Sequence, residues 1–257
     1  MSGFLKYPRT PHLSGSRLQP GDDDLDQVPL AGLDGAWVVI EEKLDGSNAG
    51  ISFDTAGRLR LQSRGHVLGG GPNEWQFDRL KAWSAAHRDQ LWAILGDRYV
   101  CYGEWLAATH TIFYDALPDF FVEFDVWDRI EECFLDTERR RALLEPLPMS
   151  AAPVLWAGWA DPSMRLAELV GPSRYITAEA PERFAAAAAA AGLDPGAGGR
   201  RADLSGLAEG LYLKTEADGA VTGRYKWVRA GFSDAVAAAG DHWTALPTVH
   251  NQLARPS

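Results

Sequence analysis

The sequence is poor in cysteine and in basic charge, and it contains no long apolar run. Its two cysteines, Cys101 and Cys133, are too few for a disulfide framework and lack metal-ligand spacing. No stretch approaches the roughly 20 apolar residues of a membrane helix, and the N-terminus lacks an apolar signal segment. We therefore expect a cytoplasmic protein with reduced cysteines and no membrane partner.

The charge balance disfavours one class of nucleic-acid binding. The chain has 25 basic and 35 acidic residues, and its net charge is −10. Proteins that clamp duplex DNA non-specifically are usually basic, whereas an enzyme that grips one nucleic-acid end is compatible with this balance. Hydrophobic residues make up 46% of the 257 residues, which is enough to form a sizeable core.

Several familiar catalytic motifs are also missing. The sequence has no P-loop and no zinc-binding histidine pattern. Gly69 to Gly71 alone indicates only a loop. His87-Arg88-Asp89 imitates part of a kinase catalytic loop, but the other kinase motifs are absent. Nucleotide chemistry of those classes is therefore not expected.

The order of apolar patterns is typical of an α+β fold in which antiparallel sheets are flanked by helices. We expect strands over residues 37–42, 49–53, 59–62, 99–106, 120–128, 153–156, 211–216 and 220–229. We expect helices over 75–95, over 137–144 with Thr137 as N-cap, over 162–170, over 181–192, and from Ser233 to about Trp243. Asp45-Gly46 and Asp218-Gly219 supply turns, and 194–206 is a loop. We expect one domain over 1–257, with an extended arm over 1–30 and a short helical tail over 231–257.

Residues 38–48, VVIEEKLDGSN, place Lys43 where an apolar strand meets a turn. This lysine is either a solvated hairpin end or a nucleophile on a rigid support. A second pattern, E-G-x-x-x-K, runs from Glu209 to Lys214. Each pattern alone is weak, but both fall on expected strands in a fixed order, which makes coincidence a poor explanation.

Further motif residues complete an ordered set. They are Arg64 in QSRGH, Glu104 in YGEW, Phe124 in FVEFD, and the pair Arg224 and Lys226 in RYK. The set resembles the covalent nucleotidyltransferase superfamily, which contains ATP-dependent DNA and RNA ligases and mRNA capping enzymes. Asn48, five residues after Lys43, and Phe124, twenty after Glu104, are similar to features of RNA-repair ligases. The K-Y-P-R-T-P-H-L arm, Lys6 to Leu13, is similar to that of a bacterial group among them.

The resemblance implies an ATP-dependent RNA ligase that joins 5′-phosphate and 3′-hydroxyl ends, with ATP and Mg²⁺ or Mn²⁺ as cofactors. Lys43 would attack the α-phosphorus of ATP to give lysyl-AMP. Lys214 and Lys226 would bind the α-phosphate, and Lys226 or Arg224 would help to orient pyrophosphate, although the family usually has lysine at the position of Arg224. Glu42 would contact the base edge, Phe124 would stack on adenine, Glu104 would bind the ribose, and Arg64 a ribose or a phosphate. Glu209 would lie near the metal, and Asn48 would contact the nucleic-acid end.

An amine must be neutral to attack phosphorus, so the charges near Lys43 affect whether it can react. A lysine with a reference pKa of about 10.4 is neutral at pH 7 in only about one molecule in 2,500. Closing this gap of roughly 3.4 units takes about 4.6 kcal/mol of differential interaction. Desolvation and nearby cations both lower the pKa of an amine. We expect Lys214, Lys226 and Mg²⁺ to supply those cations.

Some roles have two interpretations. Asp45 either helps to place the metal or makes the turn, and Phe124 either stacks on adenine or packs in the core. Arg9, His12, Ser16 and Arg17 either bind a terminal phosphate of RNA or tie the arm to the body. Histidines 66 and 110 either line the site or are structural.

Alternatives for the function are a DNA ligase, a capping-type guanylyltransferase, or a non-catalytic nucleotide or nucleic-acid binding module. The short stretch after Lys226 predicts no C-terminal OB-fold, and we expect a monomer, with a kinase-phosphatase as a partner that prepares RNA ends.

Overall fold

The computed structural model describes residues 4–18, 27–193, 202–239 and 247–254. Within these ranges the strands are β1 His12–Leu13, β2 Gln27–Val28, β3 Trp37–Lys43, β4 Ser47–Phe53, β5 Leu59–Ser63, β6 Tyr99–Trp105, β7 Phe121–Asp128, β8 Cys133–Leu135, β9 Ser150–Ala151, β10 Val154–Trp159, β11 Gly210–Ala217 and β12 Ala220–Val228. The α-helices are α1 Asp78–Ala86, α2 Arg88–Leu95, α3 Thr137–Leu144, α4 Leu166–Leu169, α5 Ala180–Ala190 and α6 Ala230–Ala239. Two 3-10 helices span Leu30–Leu33 and Pro72–Phe77.

The α+β prediction is confirmed, and the strands form one hydrogen-bonded sheet. Its main path runs β10-β3-β11-β12-β8-β7-β6-β4-β5, and neighbours along this path are antiparallel. The short strands β1 and β9 join it in parallel, on β12 and β7 respectively. Within the described residues, no helix has the length and apolar character needed to cross a membrane.

The hairpin between β11 and β12 forms where its turn sequence predicts. Asp218 and Gly219 both have positive φ values, 52° and 79°, as a two-residue type I′ turn requires. This turn sets the register in which Lys214 pairs with Arg224 and Tyr212 pairs with Lys226. The register fixes which cations of the hairpin lie near the end of β3.

The helices cover apolar surface of the sheet. One core cluster packs Leu80 and Leu91, from α1 and α2, against Ile51 and Phe53 of β4. The opposite, polar side of β4 is also buried, because Gln62 and Tyr102 of the neighbouring strands hold the N-terminal arm through the Leu5 carbonyl. β4 is therefore buried on both sides, although its alternating pattern predicted a half-buried strand.

Several predicted helix boundaries were wrong. The region predicted as one helix over 75–95 contains a 3-10 helix and two α-helices that break at His87. The N-cap of α3 is Asp136 rather than Thr137, because its carboxylate accepts the Arg139 amide at 2.8 Å. Ser233 lies inside α6 instead of capping it.

Two other expectations are only partly met. The helix predicted over 162–170 shortens to α4, which has one turn. The predicted helix end near Trp243 and most of the loop 194–206 lie outside the described residues.

Candidate active site

A cavity of about 680 Å³ opens beside the C-terminal end of β3. Nine of the fourteen side chains singled out in the sequence line it. These nine are Glu42, Lys43, Asp45, Asn48, Arg64, Glu104, Phe124, Glu209 and Lys226. The antiparallel register of β3 with β11, in which Lys43 pairs with Gly210, brings two of the sequence motifs side by side.

Lys43 is held by a carboxylate at the wall of the cavity. Its Nζ lies 2.7 Å from both oxygens of Glu209, which is almost fully buried. The Lys43 side chain keeps 23% of its surface exposed, so it remains accessible from the cavity. A single amine on a rigid strand end, open to a cavity, is suited to act as a nucleophile.

The surroundings of Lys43 are acidic, which corrects one expectation. Burial favours the neutral amine, but the charges of Glu209, Glu104 and Asp45 outweigh it and raise the pKa of Lys43 above its ordinary value. We expected neighbouring cations to lower this pKa. The protein alone therefore favours the charged form of Lys43, and a cation bound beside it would lower this pKa.

The two carboxylates closest to this lysine are themselves perturbed. Burial raises the pKa of Glu209 to about 7 and that of Glu104 to about 8, although the charge of Lys43 partly opposes both shifts. Glu104 accepts the Gly46 amide at 3.1 Å. A Cβ at position 46 would come within 2.6 Å of the Trp105 carbonyl oxygen, so glycine is needed for this close approach.

Asp45 anchors the turn that follows Lys43. Its Oδ2 accepts the amides of Thr111 and Ile112, both at 2.7 Å, and its own amide donates to Tyr114 Oη at 2.8 Å. Burial nevertheless raises the pKa of Asp45, against the effect of these hydrogen bonds. The geometry supports the turn-making role, and the predicted role in metal placement stays a prediction.

Glu42 and Phe124 lie at another part of the cavity wall. Glu42 Oε2 accepts the Arg174 amide at 3.2 Å, while Oε1 is buried and lacks a hydrogen-bond partner within the described residues. Burial raises the pKa of Glu42. The Phe124 ring contacts the rings of Tyr7 and Tyr212, with centroids 5.5 and 5.7 Å away. The cavity here combines an aromatic wall with an acceptor that is available to a ligand.

Lys214 does not line the cavity, which corrects the predicted contact with the α-phosphate. It is fully buried, with Nζ 2.9 Å from Glu41 and 3.1 Å from Asp125, and it also donates to the Phe124 carbonyl. Both carboxylates are themselves completely buried. Lys214 therefore neutralises buried acids and is not available to a nucleotide phosphate.

Arg224 is a second correction. Its guanidinium packs against protein side chains, whereas we predicted a contact with pyrophosphate. Its guanidinium lies 4.1 Å from the Phe134 ring centroid and 5.0 Å from that of Tyr7, and Nη1 is 3.9 Å from Asp125. Arg224 is not among the residues that line the cavity. Lys226, two residues later on the same face, is the cation of this hairpin that reaches it.

The N-terminal arm is bound to the body. His12 is fully buried and its Nδ1 lies 2.6 Å from Ser16 Oγ, which supports the structural interpretation, and its contact with a terminal phosphate stays a prediction. β1 places His12 opposite Lys226, whose amide donates to the Pro11 carbonyl at 2.9 Å. Arg9 and Arg17 are exposed, and their contact with a nucleic-acid end stays a prediction.

Sequence reasoning missed the tyrosines around Phe124. Tyr7 Oη lies 2.5 Å from Asp125 Oδ2 and 2.6 Å from Tyr212 Oη, and Tyr212 Oη lies 2.7 Å from the same Asp125 oxygen, so two hydroxyl protons are shared among three contacts. Tyr7 and Tyr212 both line the cavity. The alternation of Tyr212 with buried Leu211 and Leu213 was the available signal for its orientation.

Three polar residues complete the cavity rim. Asn48 and both histidines, His66 and His110, line it. Asn48 Oδ1 is buried without a hydrogen-bond partner in the described part of the chain. His110 Nε2 lies 3.4 Å from Ser47 Oγ, and exposed His66 lies 2.9 Å from Ser63 Oγ. The rim thus offers polar groups beside the turn that follows Lys43.

The acidic residues of the cavity suit a Mg²⁺-like cation whose other ligands come from water and a bound nucleotide. No group of three or more metal-binding side chains exists within the described ranges. Mg²⁺ is usually held by one or two carboxylates together with water and substrate phosphates, so Glu209 and its neighbours suit a cation that arrives with a nucleotide.

Comparison with known proteins identifies the fold. The family model described as RNA ligase matches residues 37–228. No curated protein matches the sequence significantly. A Naegleria gruberi RNA ligase, solved as a point mutant with ATP and Mn, superposes with a TM-score of 0.58 and 16% identity. A second mutant of that ligase, solved with AMP and Mn, gives 0.51 and 17%.

The superposition covers most of this chain but only part of the other. The first match covers 90% of this chain and 58% of the Naegleria chain, and the second covers 89% and 63%. At these identities the likeness is one of fold. The matched residues 37–228 include Lys43 and the turn after it, the segment from Glu209 to Lys214, and the RYK segment from Arg224 to Lys226.

Proposed function

Because the chain belongs to the RNA ligase family, we propose that it is an ATP-dependent RNA ligase that works through a lysyl-AMP intermediate. The main support for this proposal is the environment of Lys43. It is an accessible amine on a rigid strand end, and it pairs with Glu209 inside a cavity that is also lined by Glu42 and Phe124. The family match and the motif order support the same reaction.

In the first step, the neutral Nζ of Lys43 attacks the α-phosphorus of ATP. An N–P bond forms, the bond to the bridging oxygen breaks, and pyrophosphate leaves with that electron pair. Lys43 must lose its protons, and Glu209, 2.7 Å away and with a pKa raised to about 7, is placed to accept one. Phosphoryl transfer of this kind depends mainly on positioning and charge neutralisation.

The other cavity residues bind parts of the nucleotide. Phe124 stacks on the adenine, and the unpaired Oε1 of Glu42 accepts from the base edge. Glu104 binds the ribose hydroxyls, and exposed Arg64 binds a ribose or a phosphate. Lys226 is the cation of the β11–β12 hairpin that contacts a phosphate, since it is the one that lines the cavity.

Glu209, together with Asp45, would hold Mg²⁺ or Mn²⁺ through water molecules. Such a cation, when bound with ATP, supplies the positive charge that the surroundings of Lys43 lack. Because the side chains around Lys43 are mainly acidic, the positive charge that lowers its pKa comes from the cofactor. Both carboxylates lie among the groups that raise the pKa of Lys43.

The later steps act on RNA ends. AMP passes from Lys43 to a 5′-phosphate, and a 3′-hydroxyl then displaces it to form a phosphodiester. Asn48, with its unpaired Oδ1 at the cavity rim, contacts the RNA end, and exposed Arg9 and Arg17 add phosphate contacts. RNA repair is the setting we propose, with a kinase-phosphatase that supplies 5′-phosphate and 3′-hydroxyl ends.

The test is intact-mass analysis after incubation with nucleotide and Mg²⁺. Protein is first treated with pyrophosphate to remove any AMP acquired before purification. We expect an AMP-sized gain with ATP, its loss in Lys43→Ala, and its retention in Lys81→Ala, which changes a surface lysine. Absence of the gain, or a gain with GTP alone, would overturn the ligase proposal. Joining of DNA nicks but not RNA nicks would overturn its RNA specificity.

A further inference from the structure

The C-terminal segment 247–254 lies beyond the family-matched residues 37–228, yet it lines the cavity. Pro247, Thr248 and Val249 contribute to the wall. Val249 also packs with Phe113 and Phe184 in a small apolar cluster. The segment is therefore built into the site side of the molecule, although no sequence motif indicates a role for it.

Asn251 binds the segment to the connection between β6 and β7. Its Oδ1 accepts from Thr109 Oγ1 at 2.8 Å and from the Tyr114 amide at 3.0 Å. Its Nδ2 donates to the carbonyls of Leu106 at 2.8 Å and Ala108 at 3.3 Å. Asn251 is 3% exposed, and these four bonds use the full hydrogen-bonding capacity of its amide.

Main-chain hydrogen bonds extend the same contact. The Thr109 amide donates to the Val249 carbonyl at 2.9 Å, and the Gln252 amide donates to the Tyr114 carbonyl at 2.9 Å. The Leu117 amide donates to the Gln252 carbonyl at 3.0 Å. Residues 247–254 thus supply much of the backbone pairing of a connection that contains no strand of its own over 106–117.

That connection in turn holds the turn after Lys43. The amides of Thr111 and Ile112 bind Asp45 Oδ2, and Tyr114 Oη accepts the Asp45 amide. Asp45 lies two residues after Lys43 and is buried. A continuous set of hydrogen bonds therefore joins Asn251, through Tyr114, to the turn that carries the lysine.

We propose that residues 247–254 form a clamp that fixes the Lys43 turn for attack on the nucleotide, with Asn251 as its positioning residue. This inference rests on the proposed function, because it assigns Lys43 as the nucleophile. Asn251 itself touches neither Lys43 nor the cavity residues that bind the nucleotide. Its effect is on alignment, and a misplacement of about 1 Å can cost about 100-fold in rate.

Two variants test the clamp at different points. Tyr114→Phe removes the hydroxyl that accepts the Asp45 amide, and Asn251→Ala removes all four side-chain hydrogen bonds of the clamp. Tyr102→Phe is the matched control, because Tyr102 is equally buried and its hydroxyl, among the described residues, binds only the Leu5 carbonyl, at 2.8 Å. The readouts are the single-turnover rate of AMP attachment at saturating ATP, the half-saturating ATP concentration and the melting temperature.

We expect Tyr114→Phe to lower the rate about tenfold, as the loss of one aligned hydrogen bond allows, with half-saturation close to wild type. Its melting temperature is expected to fall by a few degrees, because the buried Asp45 amide loses its acceptor. Asn251→Ala is expected to lower it more, and the double variant to be less impaired than the product of the two effects. Tyr102→Phe is expected to stay within about twofold of wild type. Equal rates for Tyr114→Phe and wild type would overturn the clamp even if Asn251→Ala failed to fold.

Amide hydrogen exchange separates this inference from the proposed function. In Asn251→Ala we expect faster exchange at the amides of Asp45, Thr111 and Ile112, whether or not the protein forms an adduct. Unchanged exchange there would overturn the clamp. A wild-type protein that never forms the adduct would instead overturn the proposed function.

Discussion

Two groups of charged side chains surround β3, one around Lys43 and the other around Glu41. They differ in charge balance and in exposure. The open cluster contains Lys43, Asp45, Glu104, Glu209 and Lys226. The closed cluster contains Glu41, Glu123, Asp125, Arg140, Lys214 and Arg224. The first has three acids and two bases and faces the cavity, whereas the second has three of each and is almost fully buried.

The closed cluster is a self-sufficient network. Arg140 of α3 lies 2.5 Å from Glu41 and 3.3 Å from Glu123, and Lys214 bridges Glu41 and Asp125. The pKa of Arg140 is raised, because the charges of Glu41 and Glu123 outweigh burial. Each buried charge is matched, so the network has a structural role.

The open cluster is short of positive charge, and its carboxylates have raised pKa values. The comparison teaches that a strand lysine among acids is not enough to identify a nucleophile, since both clusters contain one. What distinguishes Lys43 is access to the cavity and a deficit of cations that a metal-bound nucleotide can fill.

Removal of the closed cluster's lysine has the largest expected effect on stability. Lys214→Met leaves the buried carboxylates Glu41 and Asp125 without their shared cation, at a cost of about 3–5 kcal/mol in the free energy of unfolding. The control Lys81→Met, which removes the ion pairs of a partly exposed lysine with Glu74 and Asp78, is expected to cost about 0–1 kcal/mol. Urea unfolding monitored by tryptophan fluorescence measures both. A weakened affinity for ATP with unchanged stability would instead place Lys214 at the nucleotide.

The glutamates of the two clusters give a matched pair. Glu209→Gln is expected to slow AMP attachment about 10²- to 10³-fold, because it removes the carboxylate that accepts a proton from the Lys43 amine. Its stability is expected to change little, because burial already disfavours this carboxylate. Glu41→Gln should show the reverse, with a lower melting temperature and a smaller effect on the rate at saturating ATP. Equal behaviour of the two variants in both assays would remove the distinction between the clusters.

The raised pKa of Glu104 predicts a pH-dependent stability. Its pKa rises from an ordinary 4.5 to about 8 on burial, so the folded state binds a proton that the unfolded state releases. This stabilisation is fully present below pH 4.5 and is lost as the pH rises through about 8. Between pH 5 and 8.5, the free energy of unfolding of Glu104→Gln should therefore fall by about 1–2 kcal/mol less than that of wild type.

Exposed Glu138 provides the control for this titration. Glu138→Gln should follow the wild-type profile of unfolding free energy throughout the same pH range. A wild-type unfolding free energy that stays flat over this pH range, or that falls no more than that of Glu104→Gln, would contradict the raised pKa.

The sequence allowed the fold class and most of the cavity to be predicted because the motifs lie on strands. Alternating residues of neighbouring antiparallel strands share a face, so Lys43 next to Gly210 follows from the pairing of two recognisable segments. Position along the strand was harder to judge. Lys214 is four residues beyond Gly210 and pairs with Val39, about 13 Å from Lys43 along the sheet at 3.3 Å per residue.

Arg224 is opposite Lys214 in the register, so it shares this displacement, whereas Lys226 is opposite Tyr212 and lies closer to the cavity. Contacts without a local signature were not predictable. Tyr7 meets Asp125 across 118 positions, and Asn251 meets Tyr114 across 137. Such pairs depend on how the whole chain closes, which residue spacing does not encode.

The most direct measurement of which lysine reacts is peptide mass spectrometry of protein incubated with ATP and Mg²⁺, after digestion under conditions that preserve the N–P bond. We predict AMP on the peptide that contains Lys43, with none on peptides that contain Lys214 or Lys226. AMP on Lys214 or Lys226, with Lys43 unmodified, would contradict the assignment of the open cluster as the catalytic site.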